Sequence, residues 1–261
     1  MSETDRPVYR TVADEIRRRI QTGAYAAGST LPTDVQLAEE LGANRNQVKR
    51  AIELLTSEGF VSKAPNQRGA TVSSIIGKIH RDGTARYAKA FREGSADQPN
   101  RGSFNAEIKA LGMAPESRTT TGRVTPPARI AEILGVSDTE ESTVIRARRM
   151  YADETPVQLA DSYIPVAIAE AAGLEAEDTG VGGMVSRLAE AGYQQVQIEE
   201  IVDVRTPSAD EAEKLGLTED HRVYDLIHIG RTADGTAVEV AHHIMPVHLW
   251  TLSYQWAADG S

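Results

Sequence analysis

Residues 31–60 read LPTDVQLAEELGANRNQVKRAIELLTSEGF. Two apolar stripes on either side of a glycine decide how this stretch folds. In the first, Leu37, Ala38 and Leu41 recur at the spacing of one helical face, and Thr33 or Asp34 stands where a helix cap belongs. Gly42 makes the turn. Asn44 caps a second helix running through Glu58, and Val48, Ala51, Ile52 and Leu55 form its buried stripe. Asn46, Lys49, Arg50 and Glu53 then fall on the opposite face, with Arg45 at its margin. Two short helices joined by a tight turn, the second polar and basic on its outer side, are what a helix-turn-helix needs to enter a DNA major groove.

The flanks extend this unit. Upstream, Val12, Ala13, Ile16 and Ile20 predict a further helix over Tyr9–Thr22, ended by Gly23. Its Arg17, Arg18 and Arg19 read equally well as a basic patch or as a solvated helix face. Downstream, Phe60-Val61 and Ala70-Thr71-Val72 predict two short strands around KAPNQRG, with Arg68 near the tip. Three helices and a hairpin make a winged helix, whose basic tip suits phosphate or minor-groove contact. The expected DNA contacts are Arg45, Asn46, Gln47 and Lys49 at base edges or phosphates, with Arg50, Arg68 and Thr33 completing the set.

The composition sets this unit apart from the rest of the chain. The 261 residues carry a net charge of -10, unusual for a nucleic-acid binder. Residues 1–76 hold 10 Lys and Arg against 9 Asp and Glu, so the excess acid lies almost wholly beyond them. An acidic body would repel DNA and suppress non-specific adhesion. Hydrophobic residues at 40% permit a buried core, and 261 residues fit one large domain or two ordinary ones. With no cysteine, disulfides and thiolate metal sites are excluded. The chain lacks an apolar run of the ~18 residues needed for a membrane span and has no signal-peptide core, so a cytoplasmic location is expected.

Beyond a polar, turn-rich linker expected over 77–103, with a short helix over 84–93, the chain repeats itself. Pro126, Leu134-Gly135, Ala152-Asp153, Val157 and Pro165 recur 81 positions later as Pro207, Leu215-Gly216, Ala233-Asp234, Val238 and Pro246. Each copy reads strand, helix, strand, turn, strand, with helices at 127–134 and 208–215 and a further helix at 184–191 after the first copy. The expected fold class is α+β: a winged helix over 1–76, then a mixed antiparallel sheet flanked by helices over 104–261.

The stretch from Tyr9 to Val72 resembles the GntR family of bacterial transcription regulators. The resemblance is carried by Tyr9, Ile20, Gly23, Gly28, Leu31-Pro32, Leu37-Ala38, Leu41-Gly42, Arg45, Val48, Leu54-Leu55, Glu58-Gly59, Gly69 and Val72. The family usually has Ser-Arg-x-Thr-Val-Arg where this chain has Asn44-Arg45-Asn46-Gln47-Val48-Lys49, so operator preference is expected to differ. The remainder resembles the effector-sensing UTRA domain of the HutC subfamily, through Phe104, Gly112, Pro126-Pro127, Leu134-Gly135-Val136, Arg148-Arg149, Pro156-Val157, Ser162-Tyr163-Ile164-Pro165, Leu215-Gly216-Leu217 and Asp234-Gly235. That resemblance implies a chorismate-lyase-like fold and a repressor relieved by a small metabolite, binding as a homodimer to a palindrome ending in GT and AC.

The effector is expected to be anionic. Arg146 and Arg148 alternate onto one strand face and could form an anion clamp, or a surface salt-bridge pair; Arg149 points the other way. By resemblance, Glu239, Ser103 and Asn105, with Ser162 and Tyr224, complete the effector set. Relatives that sense amino-sugar phosphates carry polar groups near Ala160, Gly183 and Val185, which favours a less polar anion here. His242 and His243 point to opposite faces and have no shared metal; no catalytic cluster, metal site or cofactor is expected, and Glu199-Glu200 reads as solvated surface. Two alternatives stand beside this reading: an effector-independent autoregulator, for example of plasmid transfer genes, and an enzyme of chorismate-lyase type.

Overall fold

The computed structural model describes residues 7–62, 69–73, 78–84, 86, 103–179, 183–218 and 221–256. The chain divides into two compact units, Met1–Lys78 with Glu219–Arg222, and Ile79–Thr218 with Val223–Ser261.

The first unit contains α1 (Val8–Gln21), α2 (Asp34–Glu40), α3 (Arg45–Ser57), β1 (Val61–Ser62) and β2 (Thr71–Val72). Its core is the three apolar stripes brought together: Val12, Ile16 and Ile20 of α1, Leu37 of α2, and Val48, Ala51, Ile52 and Leu55 of α3. Fully burying each such aliphatic contributes roughly 1.5–3 kcal/mol, so the stripes fix how the helices face one another. Gly42 has φ +62°, in the left-handed region, which lets the chain reverse between α2 and α3 without a Cβ clash. β1 and β2 pair antiparallel, Val61 opposite Val72, and Thr30 bridges to Thr71 on the other side. The wing tip, including Arg68, lies outside the described residues.

The second unit is built on a six-stranded sheet in the order β4-β5-β6-β9-β8-β7. Its strands are β4 (Pro115–Val124), β5 (Thr143–Ala152), β6 (Thr155–Pro165), β7 (Gln197–Arg205), β8 (Val223–Arg231) and β9 (Ala237–Pro246). Every neighbouring pair is antiparallel. The parallel pairing that makes the unit mixed is separate, between β3 (Ile79–Asp82) and β10 (Trp250–Ser253). Helices that accompany the strands among the described residues are α4 (Ser103–Lys109), α5 (Ala128–Leu134), α6 (Val166–Ala171), α7 (Gly183–Glu190) and α8 (Ala209–Leu215).

The internal repeat is the plan of this sheet. Helices α5 and α8 begin and end 81 positions apart, and each is closed by a left-handed glycine, Gly135 and Gly216. The copies meet where β6 pairs with β9, and Asp161 lies opposite His242, its own counterpart 81 positions on. An approximate two-fold axis therefore passes through that pair. Helices α6 and α7 pack with Val144, Ile164 and Val238 on the face that carries Arg148. Helices α5 and α8 cover the opposite face, through Ile130 and Leu134 against Tyr163, Ile229 and Val240, and through Leu215 against Val223 and Ile244.

The stretch expected as linker over 77–103 contains a strand near its start. Ile79–Asp82 is a strand of the second unit, and buried Trp250 anchors its partner by donating from Nε1 to the Val157 carbonyl at 2.8 Å. Alternating burial over four residues is too short to separate a strand from a polar connector by pattern alone. The short helix expected over 84–93 lies almost wholly outside the described residues. No helix among the described residues is long and apolar enough to cross a membrane.

Candidate nucleic-acid interface and effector site

Helix α3 owes its start to a reciprocal cap. The Gln47 N–H donates to Asn44 Oδ1 at 2.9 Å, and the Asn44 N–H donates to Gln47 Oε1 at 2.9 Å. Thr33 and Gln36 make the same arrangement at the start of α2. Two of the four unpaired donors at each helix start are satisfied this way. The cap also fixes which way α3 faces. Arg45, Asn46 and Lys49 are exposed on the side away from Val48, Ala51 and Leu55.

The expected DNA contacts therefore separate. Among the described residues Arg45 has no ion-pair partner, and Lys49 lies 3.9 Å from Glu53 in an exposed, weak pair. The Gln47 amide oxygen accepts from the Asn44 backbone, so a bidentate pairing with adenine would compete with the cap. Gln47 acts here as the capping residue of α3. The Arg50 guanidinium lies 4.2 Å over the Tyr9 ring and is held against α1. The triple arginine of α1 is neutralised at home. Arg17 pairs with Asp14 and Glu58, Arg18 with Glu15, and Arg19 with Glu15 and Glu40. Hydrogen bonds from Arg18 and Arg19 push the Glu15 carboxyl down to about 2. This is a laced helix face, whereas among the described residues α3 offers Arg45 with no ion-pair partner.

On the second unit, Arg146 and Arg148 do project to one face of β5, but they do different work. Arg146 is buried, and its guanidinium donates to the carbonyls of Leu174 and Ala176 from Nη1 and of Glu177 from Nη2. Three of its five N–H donors go to the segment after α6, so Arg146 is held against that backbone. Arg148 donates from Nη2 to Ser162 Oγ at 2.8 Å and from Nε to the Ala160 carbonyl at 3.3 Å. Burial works against its charge, while Glu239 and Asp161 favour it. Glu239 is itself buried and accepts from Gln195 Nε2 at 2.8 Å. Gln195 reaches it by lying over Gly230, where a Cβ would come within 2.4 Å of the glutamine amide. Gly230 sits opposite Glu239 in the β8–β9 ladder, so the missing side chain makes room for a polar one.

A second polar group lies on the same face. Glu200 joins Arg81 in a buried ion pair, accepts from the Tyr254 hydroxyl at 2.6 Å, and lies 3.7 Å from His228 Nδ1. Next to it, His243 Nδ1 hydrogen-bonds Gln158 Nε2 at 2.7 Å. Burial, then the nearby Arg81 and Arg148, push the His243 pKa well below its ordinary range, so this ring is neutral. Of the expected effector residues, Arg148, Ser162 and Glu239 come together. Among the described residues Ser103, Asn105 and Tyr224 make no hydrogen bond to them.

Comparison with known proteins completes the assignment. Residues 8–72 match the model for bacterial regulatory proteins of the gntR family, and residues 110–248 match the UTRA domain. The chain belongs to the GntR family. As a GntR-family protein with a UTRA domain, it is a DNA-binding transcription regulator with an effector-sensing unit. It is 32% identical over 262 residues to the HTH-type transcriptional regulator SCO4628 of Streptomyces coelicolor, covering 97% of this chain and 92% of that one. It is 23% identical to the HTH-type transcriptional repressor NagR of Bacillus subtilis, covering 91% and 90%. PhnF from Mycobacterium smegmatis shares its fold, with a TM-score of 0.57 and 20% identity over 95% of this chain and all of the other.

For this GntR-family regulator, the residues missed from sequence are Gln195, Arg81, Gln158 and Glu200. Glu200 looked solvated because its neighbours Glu199 and Asp203 are charged; in the structure its side chain is 5% exposed. Strand alternation could have placed it inward, since Glu200 shares a face with Ile198 and Val202. Nothing local to Gln195 marks it, because it reaches Glu239 only through the β8–β9 ladder.

Proposed function

We propose that this regulator is a repressor that binds a palindromic operator as a homodimer, with residues 1–76 as reading head and 104–261 as the sensing and dimerisation domain. The observation that carries it is the outer face of α3, where Arg45, Asn46 and Lys49 are exposed on a capped helix whose other face is core. One such helix reads too few base pairs for an address, and two-fold symmetry doubles them. Arg45 and Asn46 lie at the N-terminal end of α3, the part of a recognition helix that meets base edges, and Lys49 lies one turn on. Thr33 stands at the α2 N-terminus, where its position suits a phosphate.

The effector site is centred on Arg148, with Ser162 and Glu239. A guanidinium paired with a hydroxyl and a nearby carboxylate suits a small anion that also carries a hydroxyl donor. Binding there would release DNA by shifting the population of head arrangements.

DNA footprinting upstream of the chain's own gene tests the reading. A protected palindrome, lost in the Arg45→Ala, Lys49→Ala double variant while the dimer persists in sedimentation, supports it. Undiminished operator affinity in that variant overturns the assignment of α3.

A further inference from the structure

The sheet face opposite Arg148 carries a cleft of about 290 Å³ that the regulator described so far does not use. It is lined by Arg118 of β4, Arg149 and Tyr151 of β5, Leu159 and Asp161 of β6, and Lys214 of α8. We propose that this cleft is a second ligand site, one that takes a small organic anion bearing a hydroxyl or ammonium donor.

The internal repeat supplies the argument, because the same place is built twice in this unit. In the first copy Arg149 pairs with Leu159 across β5 and β6, and with Arg118 across β4 and β5. In the second copy the matching ladder positions are Ile229 with Val240, and Ile229 with Glu199. Leu159 and Val240 are 81 positions apart, as are Lys214 and Ile133 on the covering helices. The second copy fills its space with Ile229, Val240 and Ile133, which belong to one apolar cluster with Ile130 and Leu134. The fold therefore packs well with aliphatic side chains here. The first copy puts Arg149 and Lys214 in their place and leaves a cleft.

The cations are available to a ligand. Among the described residues Arg149 has no carboxylate within ion-pair distance, and it is half-buried. Lys214 pairs with Asp210 at 2.6 Å, and Arg118 with Glu116 at 2.6 Å, both on exposed side chains of the kind that exchange partners readily. The Arg118 guanidinium lies 4.4 Å over the Tyr151 ring, which fixes it at the rim. The side chains of Arg118, Arg149 and Lys214 and one acceptor, Asp161, on walls of Tyr151, Leu159 and Ala147 define the ligand: an anionic head, a donor for Asp161, and a small apolar body. The volume of about 290 Å³ falls just below the usual range of small-molecule sites, roughly 300 to 1,000 Å³, so the ligand is a single ring or short chain. Arg148 also borders this cleft, but its guanidinium is turned to the other face, where it hydrogen-bonds Ser162, so the two sites draw on opposite sides of the sheet.

The test uses the full chain and three probes: inorganic phosphate, glycerol 3-phosphate and mandelate. Binding is followed by titration calorimetry and by saturation-transfer NMR of the probe. The twin copy dictates the variants, Arg149→Ile and Lys214→Ile, which restore the packing already found around Ile229 and Ile133. Mandelate or glycerol 3-phosphate is expected to saturate a site that each variant weakens tenfold or more at unchanged melting temperature. Glu239→Gln, which alters the Arg148 cluster and does not line the cleft, is expected to leave that binding intact. Should either variant unfold, Arg149→Gln carries the same expectation without an apolar side chain. Failure of all three probes to saturate, binding insensitive to Arg149 and Lys214, or binding lost in Glu239→Gln overturns the proposal.

Discussion

Gln47→Ala separates two roles for one side chain. From the sequence, its amide is a reader of adenine; in the structure its oxygen closes the cap of α3. Substitution removes one hydrogen bond, from the Asn44 N–H. Asn44 is exposed, so water takes over the freed donor and no desolvation penalty of the buried kind arises. The cost is about 0.5–1 kcal/mol. For a unit of this size each kcal/mol moves the melting midpoint by roughly 4–8 °C, so the expected shift is about 2–8 °C. Circular dichroism melting measures it. In parallel, anisotropy titrations against an operator library with every single base-pair change measure selectivity. The expected outcome is a lower melting midpoint, an affinity loss shared evenly across all sequences, and an unchanged base preference. An unchanged melt, together with preference relaxed at one base pair by the ~1–3 kcal/mol of a bidentate contact, would refute the capping role.

Other outcomes follow from the same geometry. Lys49→Ala should reduce the slope of log affinity against log salt by about 2 for a dimer, close to 0.9 for each phosphate no longer neutralised, whereas Arg18→Ala, whose charge Glu15 already compensates, should leave the slope unchanged in filter binding. Arg146→Ala should lower thermal stability with or without ligand, because three carbonyls lose their donor, while Arg148→Ala should keep operator binding and lose induction in a reporter assay; survival of induction sinks the Arg148 site. Burial alone would raise the Asp225 carboxyl, but hydrogen bonds from Arg205 and His242 hold it below its ordinary value, and Arg205 lowers Glu211 as well. The folded values being depressed, this stabilisation is present above the unfolded carboxylate range and is lost on acidification through the folded ones. Arg205→Met should therefore flatten the acid limb of a stability-against-pH curve, and an unaltered limb counts against the coupling.

Much of this regulator is legible along the chain because its signals are local. Helix stripes, caps and the Gly42 turn each lie within a few residues, and side-chain spacing alone sets which face is buried. The 81-residue offset is also visible by inspection, and it anticipates helices α5 and α8 to the residue at their C-termini. Strand alternation correctly sends Arg148 and Arg149, and His242 and His243, to opposite faces.

What the sequence could not set is which partner a side chain finds once it arrives on a face. Arg146 and Arg148 are equivalent by alternation, yet one meets backbone carbonyls after α6 and the other meets Ser162. Arg17, Arg18 and Arg19 count as three charges in composition and as compensated pairs in space. Glu200 and Arg81 are 119 positions apart and meet only because β3 pairs with β10 while β7 joins the sheet edge. The chain by itself determines the elements, their buried faces and the family, since these depend on periodicity and short-range backbone chemistry. Only tertiary structure decides which charges are spent and which remain free, because that depends on distances across elements, and Coulomb and hydrogen-bond energies are set by those distances.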